Sequence, residues 1–186
     1  MSDLRIAYPL FASNRIPQEI KARDLQFETC DKGFAARLIE CWHSRLPKCQ
    51  SGPWQFAFHA YHDDVTYAVA LWNNPSARTL PGHWLELRRL AAAPDAPRNT
   101  CSRFLGWMVR YFRENHLDRE RCISYQDPAV HSGTIYKASN WSVEYIANDR
   151  LRDRSKKRTN TNRMYRSNLN GEDVDGTGKI RWGIKL

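Results

Sequence analysis

The central part of the chain changes from an apolar run to a one-sided apolar pattern and back, which predicts a strand, a helix and a second strand. Leu85–Ala92 and Cys122–Tyr125 are short, largely apolar runs of the kind found in buried strands. Between them, apolar residues recur at the spacing of one helix face: Phe104, Trp107, Met108, Tyr111 and Phe112. This order predicts a parallel strand pair joined by a right-handed crossover helix.

Further elements are predicted on both sides of this unit. The remaining strands are expected at Trp54–Tyr61, Val65–Trp72, Val143–Ala147 and Lys179–Ile184, with a hairpin at His62-Asp63-Asp64 between the first two. The apolar residues of Gly33–Trp42 lie on one helix face, and Gln18–Leu25 is expected to form a shorter helix. The fold class predicted is α+β, with residues 1–186 in a single domain.

Composition favours a globular protein of a reducing compartment. The chain has 186 residues, of which 41% are hydrophobic, and it contains seven Trp, so large rings should fill much of the core. Its five Cys are odd in number and show no paired spacing, which argues against a disulfide framework. We see no signal-peptide pattern and no membrane-length apolar run, and we therefore expect a cytoplasmic protein without a membrane partner.

Positive charge is concentrated near the C-terminal end. The formal net charge is +9, and residues 150–166 carry eight Lys and Arg against the single acid Asp153. Such a segment is typical of a polyanion partner, and double-stranded DNA is the partner we expect. The candidate DNA contacts are Arg154, Lys156, Lys157, Arg158 and Arg163. The alternative is a solvated loop with no partner.

Three side chains near the predicted strand pair are candidates for catalysis. Asp127 follows a strand at the open end of a parallel pair, where catalytic carboxylates are common, although an Asp before Pro also forms turns. Tyr136 is either a general acid or a half-buried core residue. Arg89 and its neighbour Arg88 should face opposite sides of the sheet, and Glu86 is expected to pair with Arg88.

The loop between the first strand and the helix is a candidate anion site. Backbone N–H groups at a helix N-terminus suit phosphates. Thr100 or Ser102 could instead cap the helix, and both roles are compatible.

Two of these segments resemble the GNAT superfamily of acyltransferases. Leu90-Ala91-Ala92-Ala93-Pro94-Asp95 resembles the end of the GNAT cofactor strand, and Tyr136-Lys137-Ala138-Ser139-Asn140-Trp141 has the spacing of a later helix that carries a general-acid Tyr. The resemblance implies a mixed twisted sheet splayed at its centre, with helices on both faces. It also implies acetyl-CoA or a related acyl donor, held by Ala91, Ala93, Arg98, Asn99, Thr100 and Ser102. The usual loop glycines are replaced, so the cofactor pocket is either altered or adapted to another donor.

Five short motifs in order, over about residues 31–141, resemble the Mom family of Mu-type bacteriophages, which are GNAT-like. They are Cys41–Pro47, Leu85–Leu90, Asn99–Ser102, Ser124–Asp127 and His131–Ala138. Members of the family place a carbamoylmethyl group on N6 of adenine in DNA, which protects phage DNA from host restriction enzymes. The resemblance implies catalytic roles for Arg89, Asp127 and Tyr136, iron bound through His43, and a location in the cytoplasm of the bacterial host.

Two other functions remain open at this point. One is a GNAT acetyltransferase acting on a protein or a small molecule. The other is a non-catalytic DNA-binding protein on a GNAT scaffold. The oligomeric state, monomer or homodimer, also stays open. A lone His near a helix C-terminus, such as His43, is most often explained by its favourable interaction with the helix dipole.

Overall fold

A single seven-stranded sheet forms the centre of the molecule in the computed structural model, which describes residues 20–43, 49, 52–147 and 178–186. The strands lie in the order β1-β2-β3-β4-β5-β7-β6. Their bounds are Gln26–Thr29 for β1, Phe56–His62 for β2, Val65–Asn73 for β3, Leu85–Ala92 for β4, Arg121–Gln126 for β5, Ser142–Ala147 for β6 and Lys179–Lys185 for β7. The helices are α1 (Lys32–Trp42), α2 (Thr100–Asn115) and α3 (Thr134–Ala138), and a 3-10 turn covers Ala22–Asp24.

The sheet opens at its centre because β4 and β5 separate soon after they meet. All other neighbouring strands are antiparallel, whereas β4 and β5 are parallel and pair only from Leu85–Cys122 to Leu87–Ser124. Beyond these pairs β4 continues along β3, and β5 continues along β7. The predicted α+β fold, a mixed sheet splayed at its centre, is therefore confirmed.

Helices cover both faces of this sheet, as predicted. On one face, the buried Ala35, Leu38 and Ile39 of α1 pack against Val69 and Leu71 of β3. On the other, α2 packs against β-strand residues that include Phe58, Trp72 and Leu85. Alternate residues of β3 thus serve two separate apolar clusters, which is the pattern of a strand buried on both faces.

The face that α2 buries differs in part from the predicted one. Phe104, Met108 and Phe112 are fully buried as expected, but Trp107 and Tyr111 are only half-buried. Leu105 and Val109 are buried instead, because α2 lies against both the sheet and α3. The aromatic rings of Trp107 and Tyr111 stack on one another at the edge of the core.

Two elements near the N-terminal end were not predicted correctly. The helix expected at Gln18–Leu25 is a 3-10 turn over Ala22–Asp24 within the described residues, and its first two residues lie outside them. Strand β1 was missed because it has four residues and only one of them, Phe27, is even half-buried. The other predicted elements agree to within two residues.

The basic segment of residues 150–166, including Arg154, Lys156, Lys157, Arg158 and Arg163, lies outside the described residues. Within the described ranges, none of the helices has the length and apolar character that crossing a membrane requires.

Candidate active site

A cavity of about 460 Å³ occupies the space where β4 and β5 diverge. Its walls come from both strands, from the ends of α1 and α2, and from the segment that leads into α3. Four residues selected from the sequence line it: His43, Arg89, Asp127 and Tyr136. The splay therefore brings together side chains that are up to ninety-three positions apart in the chain.

Tyr136 is held rigidly at one wall of the cavity. It is only 7% exposed, its ring stacks on Trp182 at 5.3 Å, and its hydroxyl lies 2.9 Å from the Ser124 hydroxyl. Burial raises the pKa of the Tyr136 phenol, and the Ser124 hydrogen bond opposes that rise. The phenol is consequently protonated at neutral pH and can donate a proton.

Asp127 lies at the end of β5 and closes the tight turn that follows. Its Oδ1 accepts a hydrogen bond of 3.1 Å from the Ala129 backbone N–H, and its carbonyl oxygen accepts from Val130 and His131. The side chain is nonetheless 8% exposed at the cavity wall. The turn-forming role and the cavity position considered from the sequence thus occur together in one residue.

A buried amide joins Asp127 to Tyr136. Gln126 is 4% exposed, its Oε1 accepts a hydrogen bond of 2.7 Å from Trp182 Nε1, and its Nε2 donates to the His131 carbonyl. Gly133, the N-cap residue of α3, has a φ of +73°, a backbone conformation that glycine adopts without strain. Because Gln126 precedes Asp127 and Trp182 stacks on Tyr136, these contacts fix both candidate catalytic residues relative to each other.

Arg89 enters the cavity because β4 contains a bulge. Leu71 pairs with Arg89 but Trp72 pairs with Leu87, so Arg88 is the extra residue. Arg88 pairs with the Glu86 carboxylate at 3.3 Å, as predicted. The prediction that the two arginines face opposite sides assumed regular alternation, which the bulge breaks, and both arginines line the cavity. Burial, and then the charge of Arg88, lower the pKa of Arg89, which remains a cation because guanidinium is such a strong base.

His43, through which the family resemblance implies iron binding, lies at the end of α1 on the cavity wall. It follows the last residue of α1, and its backbone N–H donates to the Ile39 carbonyl. Burial, Arg89 and His131 together lower the pKa of His43 to about 4. The imidazole is therefore neutral at neutral pH, which is the form in which histidine binds a metal ion. The described residues contain no cluster of three or more His, Cys, Asp or Glu side chains that could hold a metal ion.

The loop before α2 keeps the conformation that glycine would provide. Asn99 has a φ of +70°, in the left-handed region that Asn tolerates better than most residues. The hydroxyl of Thr100 donates to the Pro97 carbonyl, and that of Ser102 donates to the Asn99 carbonyl. The expectation that one of them caps the helix is therefore wrong. The Arg103 N–H donates the first helical hydrogen bond of α2, to the Asn99 carbonyl. The backbone N–H groups before Arg103 therefore have no acceptor within the helix.

Of the remaining cofactor residues predicted from the sequence, the structure places only one on the cavity wall. Ala91 lines the cavity. Ala93 is buried just beyond the end of β4, and its N–H donates to the Tyr67 carbonyl. Arg98 and Asn99 are exposed on the loop, next to Cys101, which lines the cavity from the first turn of α2.

Residues 24–181 match the model of the Mom protein family. The chain belongs to the Mom family. No curated protein sequence matches it.

Solved structures similar to this Mom-family chain are acetyltransferases. They include the ribosomal-protein-S18-alanine N-acetyltransferase of Escherichia coli, at 10% identity and a TM-score of 0.57, with 87% of this chain and 94% of that chain covered. An acetyltransferase of Bacillus subtilis in complex with CoA has 10% identity and a TM-score of 0.56, covering 87% and 99%. A proposed acetyltransferase of Salmonella typhimurium, solved with acetyl-CoA, has 8% identity and a TM-score of 0.58, covering 88% and 94%. At these identities the likeness shows a common fold.

Several residues that line or support the cavity were not selected from the sequence. Ser124 and Gln126 are polar side chains within a buried strand, a signal that was available but was not used. Trp182 lies 56 residues beyond Gln126, and no local pattern indicates their hydrogen bond. Trp42, at the end of α1, also lines the cavity.

Proposed function

We propose that this protein transfers a small acyl-derived group, the carbamoylmethyl group characteristic of the Mom family, to N6 of adenine in DNA. Family membership over residues 24–181 supports DNA modification, and the acetyltransferase fold supports group transfer. The observation that carries the proposal is the presence of Arg89, Asp127 and Tyr136 in one cavity at the splay. The product would protect phage DNA from restriction enzymes of the host.

The side chains of the cavity match the proton transfers that this reaction needs. The adenine amino group is a weak nucleophile because its lone pair is delocalised into the ring, so bond formation at N6 must be coupled to loss of its proton. Asp127 is the acceptor proposed for that proton, and Tyr136 is the donor proposed for the leaving group. The bond between N6 and the CH2 carbon of the carbamoylmethyl group would form as the bond from that carbon to the donor breaks, and the donor fragment would leave with the proton from Tyr136. Arg89 provides a fixed positive charge that would bind the carbamoyl oxygen of the transferred group.

The site fits an anionic acyl carrier such as a CoA derivative. The first turn of α2 presents backbone N–H groups, has no acidic residue, and is preceded by Arg98. The hydroxyls of Thr100 and Ser102, which stand at or beside the usual glycine positions, donate to carbonyls of their own loop. When bound, the carrier would supply the activated group, and the β4 edge from Arg88 to Ala92 would hold its arm in the splay.

DNA would reach this site with its target base turned out of the helix, because N6 within a paired and stacked duplex is inaccessible to the cavity. Residues 150–166 are the proposed phosphate contacts, through Arg154, Lys156, Lys157, Arg158 and Arg163. These contacts would place the protein on DNA without reading its sequence.

Mass spectrometry of nucleosides from plasmid DNA tests the proposal. Cells expressing the wild-type protein should yield a new adenine nucleoside that is absent from cells carrying the empty vector. Unmodified nucleosides together with acetylated protein or small molecules would instead support an acetyltransferase with another acceptor. Unmodified nucleosides with tight DNA binding would indicate a non-catalytic DNA-binding protein.

A further inference from the structure

Residues from the helices on both faces of the sheet line the cavity, and the two sides differ in character. On the α2 side it is lined by Cys101 and Tyr136, next to the helix N-terminus that suits an anionic carrier. On the α1 side it is lined by Trp42 and His43, at the end of that helix. With the carrier on the α2 side, the α1 side is the part of the cavity wall that is left for the acceptor base.

We propose that Trp42 is the stacking surface that holds the extruded adenine during transfer. The inference rests on the proposed function and names the residue that would recognise the base. Trp42 is half-buried, with part of its side chain packed against the apolar cluster between α1 and the sheet. Trp42 also lines the cavity. An indole anchored in this way offers a rigid aromatic surface to a flat ligand.

The other tryptophans that the structure describes are occupied by other contacts. Trp72, Trp107, Trp141 and Trp182 each lie against at least one aromatic ring, Trp84 lies under the Arg121 guanidinium, and Trp54 donates a hydrogen bond to the Cys49 carbonyl. Within the described part of the chain, Trp42 has neither a ring partner nor a hydrogen bond. It is therefore the tryptophan of the cavity wall whose aromatic surface is available to a base.

The position of Trp42 also suits the chemistry. The next residue in the chain, His43, is close enough to Arg89 for the guanidinium to affect its charge, and Arg89 and Asp127 line the same cavity. A base stacked on Trp42 would thus have its exocyclic amino group among the residues proposed to act on it. Stacking on an aromatic side chain is tolerant of base identity, so the amino group would be selected by Asp127 and its neighbours.

Binding to an unpaired adenine measures this role separately from catalysis. The probes are two short duplexes of the same sequence, one fully paired and one with a single adenine opposite an abasic site. Extrusion of the unpaired adenine costs less, so the wild-type protein should bind the second duplex more tightly. Trp42→Ala should reduce affinity for that duplex by roughly 5- to 100-fold, which corresponds to the binding free energy usually lost with one base–aromatic stack. Affinity for the paired duplex should be unchanged, because phosphate contacts dominate it.

Three matched variants separate stacking from a structural role. Trp42→Phe keeps an aromatic face and should keep most of the preference for unpaired adenine, whereas Trp42→Leu keeps apolar bulk and should lose it. Trp84→Ala removes a tryptophan that lies outside the cavity wall and should leave the preference unchanged. Equal preference in the Phe and Leu variants, or an equal loss on both duplexes, would overturn the inference.

Nucleoside mass spectrometry on the same variants distinguishes the inference from the function on which it rests. A wild-type protein that leaves adenine unmodified contradicts the proposed function. A wild-type protein that modifies adenine, with Trp42→Ala equally active and equally selective for the unpaired base, contradicts only the role of Trp42.

Discussion

Replacement of Gly133 by Ala should destabilise the protein because this glycine closes the contacts around Gln126. Its φ of +73° costs an L-residue about 1–2 kcal/mol. A Cβ at this position would lie 2.6 Å from Gln126 Oε1 and 2.8 Å from Trp182 Cζ2, closer than packed atoms approach. Both neighbours are 4% exposed and bonded to each other, so neither can move without disturbing the hydrogen bond between them.

These terms give the size of the effect. Overpacking of a buried site costs about 1–3 kcal/mol and loss of the hydrogen bond about 1 kcal/mol, so with the cost of the positive φ the free energy of unfolding should fall by about 3–6 kcal/mol in total. For a chain of this length, each kcal/mol lowers the melting temperature by about 2–4 °C, so a fall of roughly 6–24 °C is expected. Urea titration and thermal melting, followed by circular dichroism, measure both quantities.

Gly106→Ala provides the matched control. Gly106 lies inside α2, and a Cβ there meets no atom within 4 Å. This variant should be unchanged or more stable by up to about 1 kcal/mol, because Ala favours a helix interior over Gly. If Gly133→Ala unfolds at the same urea concentration as Gly106→Ala, the proposed rigidity of the contacts around Gln126 is refuted.

Three further predictions follow from the cavity and from the charge of the chain. The pKa of about 4 for His43, against 6.5 for the exposed side chain, means that protonation favours unfolding. The free energy of unfolding should therefore rise by roughly 2–3 kcal/mol between pH 4 and pH 6.5, and His43→Gln should flatten that rise in urea titrations across this range. Tyr136→Phe keeps the stack on Trp182 but loses the hydroxyl group. The yield of modified adenine should fall by roughly 100-fold or more, while the free energy of unfolding changes by about 1 kcal/mol. A yield of modified adenine equal to that of the wild type would exclude Tyr136 as the acid. The third prediction concerns a variant with three residues changed together to Ala: Lys156, Lys157 and Arg158. In a plot of the logarithm of the DNA-binding constant against the logarithm of salt concentration, its slope should be less steep than that of the wild type by up to about three units. Equal slopes for the two proteins would exclude these residues as phosphate contacts.

The elements of the sheet were largely predictable because each is defined by a local pattern. Strand β4 was predicted with the bounds that the structure shows, because the apolar run that contains it ends at Ala93, just before Pro94. The bulge at Arg88 was not predictable, since it depends on the register with β3 and not on the sequence of β4 alone. It is this bulge that places both arginines in the cavity.

The candidate site was predictable as a set of residues but not as an arrangement. Asp127 and Tyr136 were selected from strand position and family motifs, and the structure places both at the cavity wall. The contacts that hold them come from Gln126 and Trp182, which meet only because β7 pairs with β5. Asn140 stands where the GNAT motif that begins at Tyr136 usually has Gly. Its φ of +61° shows that the backbone keeps the left-handed conformation although the residue has changed.

The most direct test of the central claim compares the yield of modified adenine for two carboxylate variants. Asp127→Asn removes the proposed proton acceptor, whereas Asp64→Asn changes an exposed carboxylate between β2 and β3. Nucleoside mass spectrometry of DNA from cells making equal amounts of each protein should show wild-type yield for Asp64→Asn and a yield lower by roughly 100-fold or more for Asp127→Asn. Equal yields of modified adenine from the two variants would contradict the assignment of DNA modification to this cavity.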